Sequence, residues 1–237
     1  MSVNTKYRSN AEETMDDFSM EGDILAEALD KIAGINRLLG GNKITLEGLE
    51  RLLADKKKGS QISILDVGCG NGDMLRTIAE YGKSNGFEFQ LHGIDANAYT
   101  INYARMLSSG CKNIQYLCED IFDEIKQDRQ YDVILCTLTL HHFKDNEILK
   151  LLEGFRKQAV IGIVINDLHR SKLAYYLFIA VCKVFRLNHM SKDDGLVSIL
   201  RAFKKADLLN YASQLNIKKY ILRWRWAFRY QWIIPTI

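Results

Sequence analysis

Five short stretches carry the residues that could do chemistry. Asp66 stands inside the end of an apolar run, Ile62 to Val67, and Gly68, Gly70 and Gly72 follow it at alternate positions. Asp95 follows a second run, Phe87 to Ile94, and Asp120 comes after a third, Ile114 to Cys118. His141 and His142 leave a fourth, Tyr131 to Leu138, while Asp167, His169 and Arg170 leave a fifth, Ala159 to Asn166. A carboxylate beside a glycine turn suits a ligand with positive groups. An acid at the tip of the next strand can accept two neighbouring hydroxyls at once. Histidine, with an ordinary pKa of about 6.5, can take a proton from a phenolic hydroxyl.

Each apolar run has the length and composition of a buried strand, and the stretch after the first has helical spacing over Asp73 to Glu80. Strand, glycine turn and helix form a βα unit in which a ligand can approach the backbone. Glycine is needed where φ is positive or where a Cβ would block that approach. Repeated βα units predict an α/β fold, whose ligands bind beyond the strand carboxyl ends. The glycine spacing departs from the dinucleotide fingerprint, because the place of its third glycine is taken by Asp73. An NAD-linked oxidoreductase is disfavoured on that ground.

The pattern Asp66-Val67-Gly68-Cys69-Gly70-Asn71-Gly72 resembles motif I of the class I S-adenosylmethionine-dependent methyltransferases. That resemblance covers residues 60–167 well. It implies a Rossmann-like, seven-stranded, mostly parallel sheet with helices on both faces, a terminal antiparallel hairpin and an N-terminal helical cap. The implied cofactor is S-adenosylmethionine, with S-adenosylhomocysteine as product. The turn Gly68, Cys69, Gly70, Asn71 and Gly72 would pass under its methionine and ribose part, with Asp66 and Thr137 also binding the cofactor. Asp95 and Ala96 would meet the ribose, Asp120 the adenine amino group, and Ile121 the ring. Arg37 could hold the methionine carboxylate or simply face solvent. Asp120 could equally be a helix N-cap.

The fourth strand ends in Thr139-Leu140-His141-His142-Phe143. The only proline is Pro235, so the proline motifs of many nucleic-acid and protein methyltransferases are absent. The segment is similar to the small-molecule branch, especially the quinone-biosynthesis methyltransferases. The expected reaction is methylation, chiefly of oxygen, of a small apolar aromatic acceptor such as a phenol, quinol or polyketide. Either histidine could be the base, or His142 could only pack. Asp167 could orient His169 or His142, Arg170 could pair with an anionic acceptor, and Ser171 could cap the next helix.

At 237 residues, 47% hydrophobic and 26% charged, the chain can bury a large core. The expected organisation is a helical cap over residues 1–60 and a cofactor-binding domain over 61–237, with a lid near 171–200. Amphipathic spacing predicts helices over Asp23 to Leu39 and Thr45 to Leu53, the latter capped by Thr45. Helices are also expected from Asp145, as N-cap, to Gln158, and over Lys204 to Leu215, with a turn from Met190 to Gly195 that brings Asp193-Asp194 to the pocket. Lys172 to Arg186 reads as an apolar helix too short to span a bilayer. It fits a lid over a hydrophobic acceptor, a peripheral membrane contact, a packed core helix or a homodimer surface. Ile217 to Trp224 and Trp226 to Ile234 alternate like a hairpin.

The five cysteines lack metal spacing, so no metal is expected and the thiols should be reduced and buried. With no signal-peptide core at the N-terminus, a cytoplasmic location is expected. From Arg156 onward there are 15 Lys and Arg against 4 Asp and Glu; the overall charge of +3 leaves −8 for the rest. That surplus keeps an RNA or protein methyltransferase as the alternative, although nucleic acid is not the expected partner. A non-catalytic, cofactor-binding partner subunit is the other.

Overall fold

In the computed structural model, which describes residues 3–236, the chain builds one seven-stranded sheet of order β3-β2-β1-β4-β5-β7-β6. The strands are β1 (Gln61–Val67), β2 (Glu88–Asp95), β3 (Ile114–Cys118), β4 (Tyr131–Thr137), β5 (Ala159–Leu168), β6 (Ile221–Arg225) and β7 (Arg229–Pro235). The first five pair in parallel, and β7 runs antiparallel to both β5 and β6. Register aligns the carboxyl ends: Val67 faces Ile94 and Cys136, and Thr137 faces Asn166. The chain order reverses between β1 and β4, which makes their ends the crevice for ligands.

Adjacent strand residues point to opposite faces, so a doubly buried strand must be apolar at both parities. Ile64, Val133, Leu135 and Val164 pack with Leu49 and Leu53, with Met74, Leu75 and Ile78, and with Ile101 and Ala104. These helical residues come from α2 (Gly41–Leu52) and the residue after it, α3 (Asp73–Asn85) and α4 (Ala98–Leu107). On the other face Leu65, Ile134, Ile163 and Ile165 pack on Leu151, Leu152 and Phe155 and on Leu208 and Tyr211. α5 is the single turn Ile121–Glu124, and α6 spans Asp145–Gln158. α7 (Lys172–Val184), α8 (His189–Arg201) and α9 (Lys205–Gln214) follow β5. Removing one such fully buried leucine side chain costs about 2–5 kcal/mol.

Several local expectations change. α2 begins at Gly41, so Thr45 is not a cap but an interior residue; its Oγ1 meets Thr137 Oγ1 and accepts from Asn166 Nδ2, both at 3.0 Å. Asp145 is the first residue of α6 rather than its cap, and it accepts from Arg8 and Tyr211. The stretch Met190–Gly195 is helical, because Asn188 caps α8 by accepting from Ser191 N. Ser171 takes the N-cap position of α7 without a side-chain cap bond. The hairpin strands are shorter than their alternation suggests, since Ala227 and Phe228 turn the chain with positive φ.

The N-terminal stretch lies across the carboxyl ends of the strands, ahead of α1 (Asp23–Leu38). Arg8 donates to the carbonyls of Arg201, His141 and Phe143, and Asp194 accepts from Thr14 N and Met15 N. Asn97 Nδ2 holds the far end through Met20 O. α7 buries only Ala174 and Cys182 and leaves Leu173, Tyr176, Leu177 and Val184 exposed. Among the described residues no helix is long and apolar enough to cross a membrane. Cys69, Cys136 and Cys182 are buried as expected, whereas Cys118 is exposed and Cys111 half-buried; all five are free thiols.

Candidate active site

The glycine turn takes its shape from three positive φ values, 66° at Gly68, 51° at Gly70 and 76° at Gly72. A Cβ at Gly68 would lie 2.5 Å from the Thr139 side chain, so the turn after β1 is fitted against the exit of β4. At Gly70 a Cβ would be in ordinary contact with Leu29 at 3.7 Å and meet nothing nearer, beside the space that Gly70 lines. That space is a cavity of about 2140 Å³ bounded by the turn, the ends of β2 and β4, the N-terminal stretch, α7 and the hairpin turn.

Asp95 accepts from Gly70 N at 3.2 Å with one oxygen and from Asn97 N at 3.0 Å with the other. Each oxygen keeps a lone pair for a ligand hydroxyl. Burial raises the Asp95 carboxyl, against the lowering effect of those two N–H groups. Asp66 is deeper, with Oδ1 unpartnered, and burial together with the Asp95 charge pushes it up to about 8. It is therefore largely protonated at neutral pH in the free protein. Ala96, Asp120, Ile121, Thr137, Cys69 and Asn71 all line the cavity. Burial pushes the Cys69 thiol well up, which leaves it inert. Asn71 is spent on structure, donating to Asp30 of α1 and accepting from Asp73 N. Asp120 is an N-cap, accepting from Phe122 N at 2.7 Å through Oδ1 only, so Oδ2 remains.

Arg37 stays outside the cavity, 61% exposed at its side chain, and pairs with Asp73 at 3.0 Å. Asp73 also accepts from Asn42. A carboxylate fixed at the first turn of α3 repels a diphosphate there.

The second half of the site is built where β4 ends. Leu138 has φ 56° and donates its N–H to Asn166 O at 2.9 Å; a leucine so placed stores about 1–2 kcal/mol of strain. The sharp exit turns His141 inward. His141 Nδ1 lies 2.7 Å from Asp167 Oδ1, and Asp167 Oδ2 accepts the His141 N–H at 3.1 Å. Burial pushes the Asp167 carboxyl up, but the His141 ring and the Leu168 N–H outweigh it and hold it below the ordinary carboxylate range. His141 is only 2% exposed, and its Nε2 has no partner.

The acid partner of His142 is Asp16, not Asp167: His142 Nδ1 lies 2.7 Å from Asp16 Oδ1, and Arg201 donates to Asp16 Oδ2 at 2.5 Å. Burial raises Asp16, yet those two partners hold it far below the usual carboxylate value. Glu13 accepts from Ser198 at 2.6 Å, while its Oε1 is unpartnered 3.9 Å from His141 Nε2. Burial raises the Glu13 carboxyl despite the nearby His142 and Arg201. One atom from each of Glu13, His141 and His142 lies within 4.8 Å of the others, a spacing that could also hold one small cation.

His169 and Arg170 stand apart from this cluster. His169 Nδ1 accepts from Trp224 Nε1 at 3.2 Å, in keeping with a pKa lowered by burial and by Lys204 and Arg170. Arg170 is not free for an anionic acceptor: it is buried, donating to the carbonyls of Thr5 and Ala202 and pairing with Asp207 at 3.0 Å. Of Asp193 and Asp194, expected at the pocket, Asp194 lines it but its oxygens are taken by the N-terminal stretch, whereas Asp193 lies outside and pairs with His189. Glu13, Asp16, Arg8 and Arg201 were not singled out from sequence. Glu13 and Arg201 are 185 or more residues from partners they meet here, and no local pattern marks them.

Residues 64–162 match the family described as methyltransferase domain. The ubiquinone biosynthesis O-methyltransferase of Rickettsia canadensis is 31% identical over 147 residues, 60% of this chain and 58% of that protein. The corresponding protein of Rickettsia felis is 30% identical over 147 residues, 60% and 56%. The chain thus spans a little over half the length of these curated relatives. Among solved structures, the plantazolicin methyltransferase BpumL with bound SAH superposes with a TM-score of 0.68 at 17% identity, covering 90% of this chain and 94% of that one. Magnesium protoporphyrin IX methyltransferase from Synechocystis PCC 6803 gives 0.54 at 16%, covering 83% and 82%. Residues 64–162 thus match a methyltransferase domain, and the chain shares the α/β fold of these solved methyltransferases.

Proposed function

We propose that this methyltransferase moves the methyl group of S-adenosylmethionine to a hydroxyl of a small, apolar aromatic acceptor, with His141 as general base. One observation carries the reading: an unpartnered histidine nitrogen, backed by a buried carboxylate, shares one cavity with the glycine turn and Asp95.

The site residues fit the cofactor. The space that Gly70 lines, spare lone pairs on Asp95, the free oxygen of Asp120 and the apolar Ile121 suit a nucleoside carrying a charged tail. S-adenosylmethionine supplies a methyl group on a sulfonium, open to in-line attack. Asp95 and the turn would fix the donor, and Asp66 would complement its positive groups. At about 2140 Å³ the cavity exceeds the roughly 300–1,000 Å³ of a single-ligand pocket, which leaves room for an acceptor. Most of the acceleration would then come from alignment.

His141 would accept the acceptor's proton at Nε2, while Asp167 holds the tautomer with hydrogen on Nδ1 and stabilises the resulting imidazolium. Glu13 stands 3.9 Å from Nε2 and would have to turn aside for the acceptor to reach it. His142, Asp16 and Arg201 position the N-terminal stretch over the site. The exposed apolar side of α7 would face a hydrophobic acceptor or the membrane surface that supplies it.

A macromolecular acceptor using the basic half is the weaker reading, because Arg170, Arg201 and Arg229 of that surplus are buried. The test is calorimetric titration with S-adenosylhomocysteine beside NADH, followed by a methyl-transfer screen over phenols. Micromolar binding of the first alone, with turnover lost in His141→Ala, is the expected result; binding of NADH alone overturns the reading.

A further inference from the structure

One buried charge in the cavity wall is unused by this chemistry. Arg229, the first residue of β7, is 4% exposed, and its Nε and Nη1 have no hydrogen-bond partner. Among the described residues no carboxylate forms an ion pair with it. The acid that acts on it, Asp167, is already engaged by the His141 ring and by the backbone N–H groups of His141 and Leu168. An unpaired buried guanidinium is costly, and proteins keep one where something pairs with it. Burial lowers its pKa to about 10, so it remains a cation at neutral pH.

One side of it packs on the backbone of α2 and another borders the cavity. A Cβ at Gly41 would lie 3.1 Å from Arg229 Cζ and would collide with Asn36 Oδ1, which is also unpartnered. Both Asn36 and Arg229 line the cavity that His141 lines. Arg229 pairs with Leu168 of β5, whereas Asp95 ends β2, four strands away in the sheet order. At about 4.8 Å per strand that separation is roughly 19 Å. A donor held over β1, β2 and β3 leaves the β5–β7 end to a second molecule.

We infer that Arg229 receives a carboxylate of the acceptor, so that the substrate class is an aromatic acid carrying a hydroxyl. The inference rests on the methyl-transfer reading. A planar guanidinium matches a carboxylate, and such charge-assisted bonds are the strong ones. The carboxylate fixed at β7 would set which hydroxyl of the acceptor reaches His141.

The test uses the whole chain saturated with S-adenosylhomocysteine, titrated calorimetrically with 6-hydroxy-2-naphthoate and with 2-naphthol. The expected result is at least tenfold tighter binding of the acid by wild type. Arg229→Met should lose that preference while binding S-adenosylhomocysteine within about threefold of wild type. Arg229→Lys, which keeps the charge should the methionine variant fold poorly, should retain a weaker preference. Equal binding of the two naphthyl probes by wild type overturns the inference, as does a preference that survives in Arg229→Met. If Arg229→Met instead loses S-adenosylhomocysteine tenfold or more while still binding 5′-methylthioadenosine, the carboxylate is the cofactor's and the acceptor assignment falls. Failure of wild type to bind S-adenosylhomocysteine overturns the methyl-transfer reading itself.

Discussion

Asp167 holds His141 twice, through the ring Nδ1 at 2.7 Å and through the backbone N–H at 3.1 Å. The double contact locks both the tautomer and the chain that presents it. General-base catalysis is worth typically 10²–10⁴-fold. His141→Ala should lower kcat by about that factor with S-adenosylhomocysteine affinity unchanged, and Asp167→Asn should lower kcat without raising KM for the acceptor. Steady-state kinetics beside calorimetry checks both; an intact kcat in His141→Ala removes the base from the mechanism.

Asp95 offers its remaining lone pairs to vicinal hydroxyls. Hydrogen bonds to a charged acceptor contribute about 1.5–3 kcal/mol. Asp95→Ala should therefore weaken S-adenosylhomocysteine by roughly 10- to 100-fold, read as a shift in the calorimetric Kd.

Asp66 has a folded pKa of about 8 against an ordinary 3.8. The folded state binds the proton more tightly than the unfolded one, so the free protein loses stability from this group as pH rises from about 4 to about 8. Asp66→Asn should accordingly raise Tm at pH 8 more than at pH 5. A cationic ligand favours the ionised form, so S-adenosylmethionine should bind more tightly as pH rises through about 8. Below that pH binding should release a proton, measurable by calorimetry in buffers of different ionisation heat.

Asp16 runs the opposite way. Its carboxyl is held low, so the stability it contributes is present at neutral pH and fades as pH falls below the ordinary carboxylate value. The N-terminal stretch it anchors to His142 and Arg201 should loosen on acidification. Hydrogen exchange at residues 9–20 should rise at low pH, and at neutral pH in Arg201→Ala, before the sheet exchanges.

At Gly68 a Cβ would meet Thr139 at 2.5 Å in a backbone that already disfavours it. Gly68→Ala should lose about 1–3 kcal/mol of stability, and adding Thr139→Ala should recover part of it. Urea unfolding of the single and double variants measures the coupling, and strictly additive effects would show that the two sites do not touch.

The glycine turn, the acids at the strand ends and the terminal hairpin were legible in the sequence because each is local. A strand, its turn and the next helix lie within about twenty residues, and periodicity with glycine spacing records them. The parallel order followed from the repeated βα units, and with it the placing of Asp66, Asp95, Asp120 and His141 along one edge of the sheet. Which acid serves which histidine was not legible. Asp167 was expected beside His169 or His142, yet it meets His141, because the Leu138 kink and the Asn166 bond set the direction of the chain leaving β4. The partner of His142 comes from a stretch 126 residues earlier, and pairs so far apart leave no spacing to read. Burial was equally hidden: Arg37 and Arg229 are both arginines near apolar residues, but one pairs with Asp73 at the surface and the other is buried in the cavity wall. Sequence thus determined the elements and the residue types at their ends. Only the packing of distant segments decided which groups lost their water, and so which charges are strong enough to act.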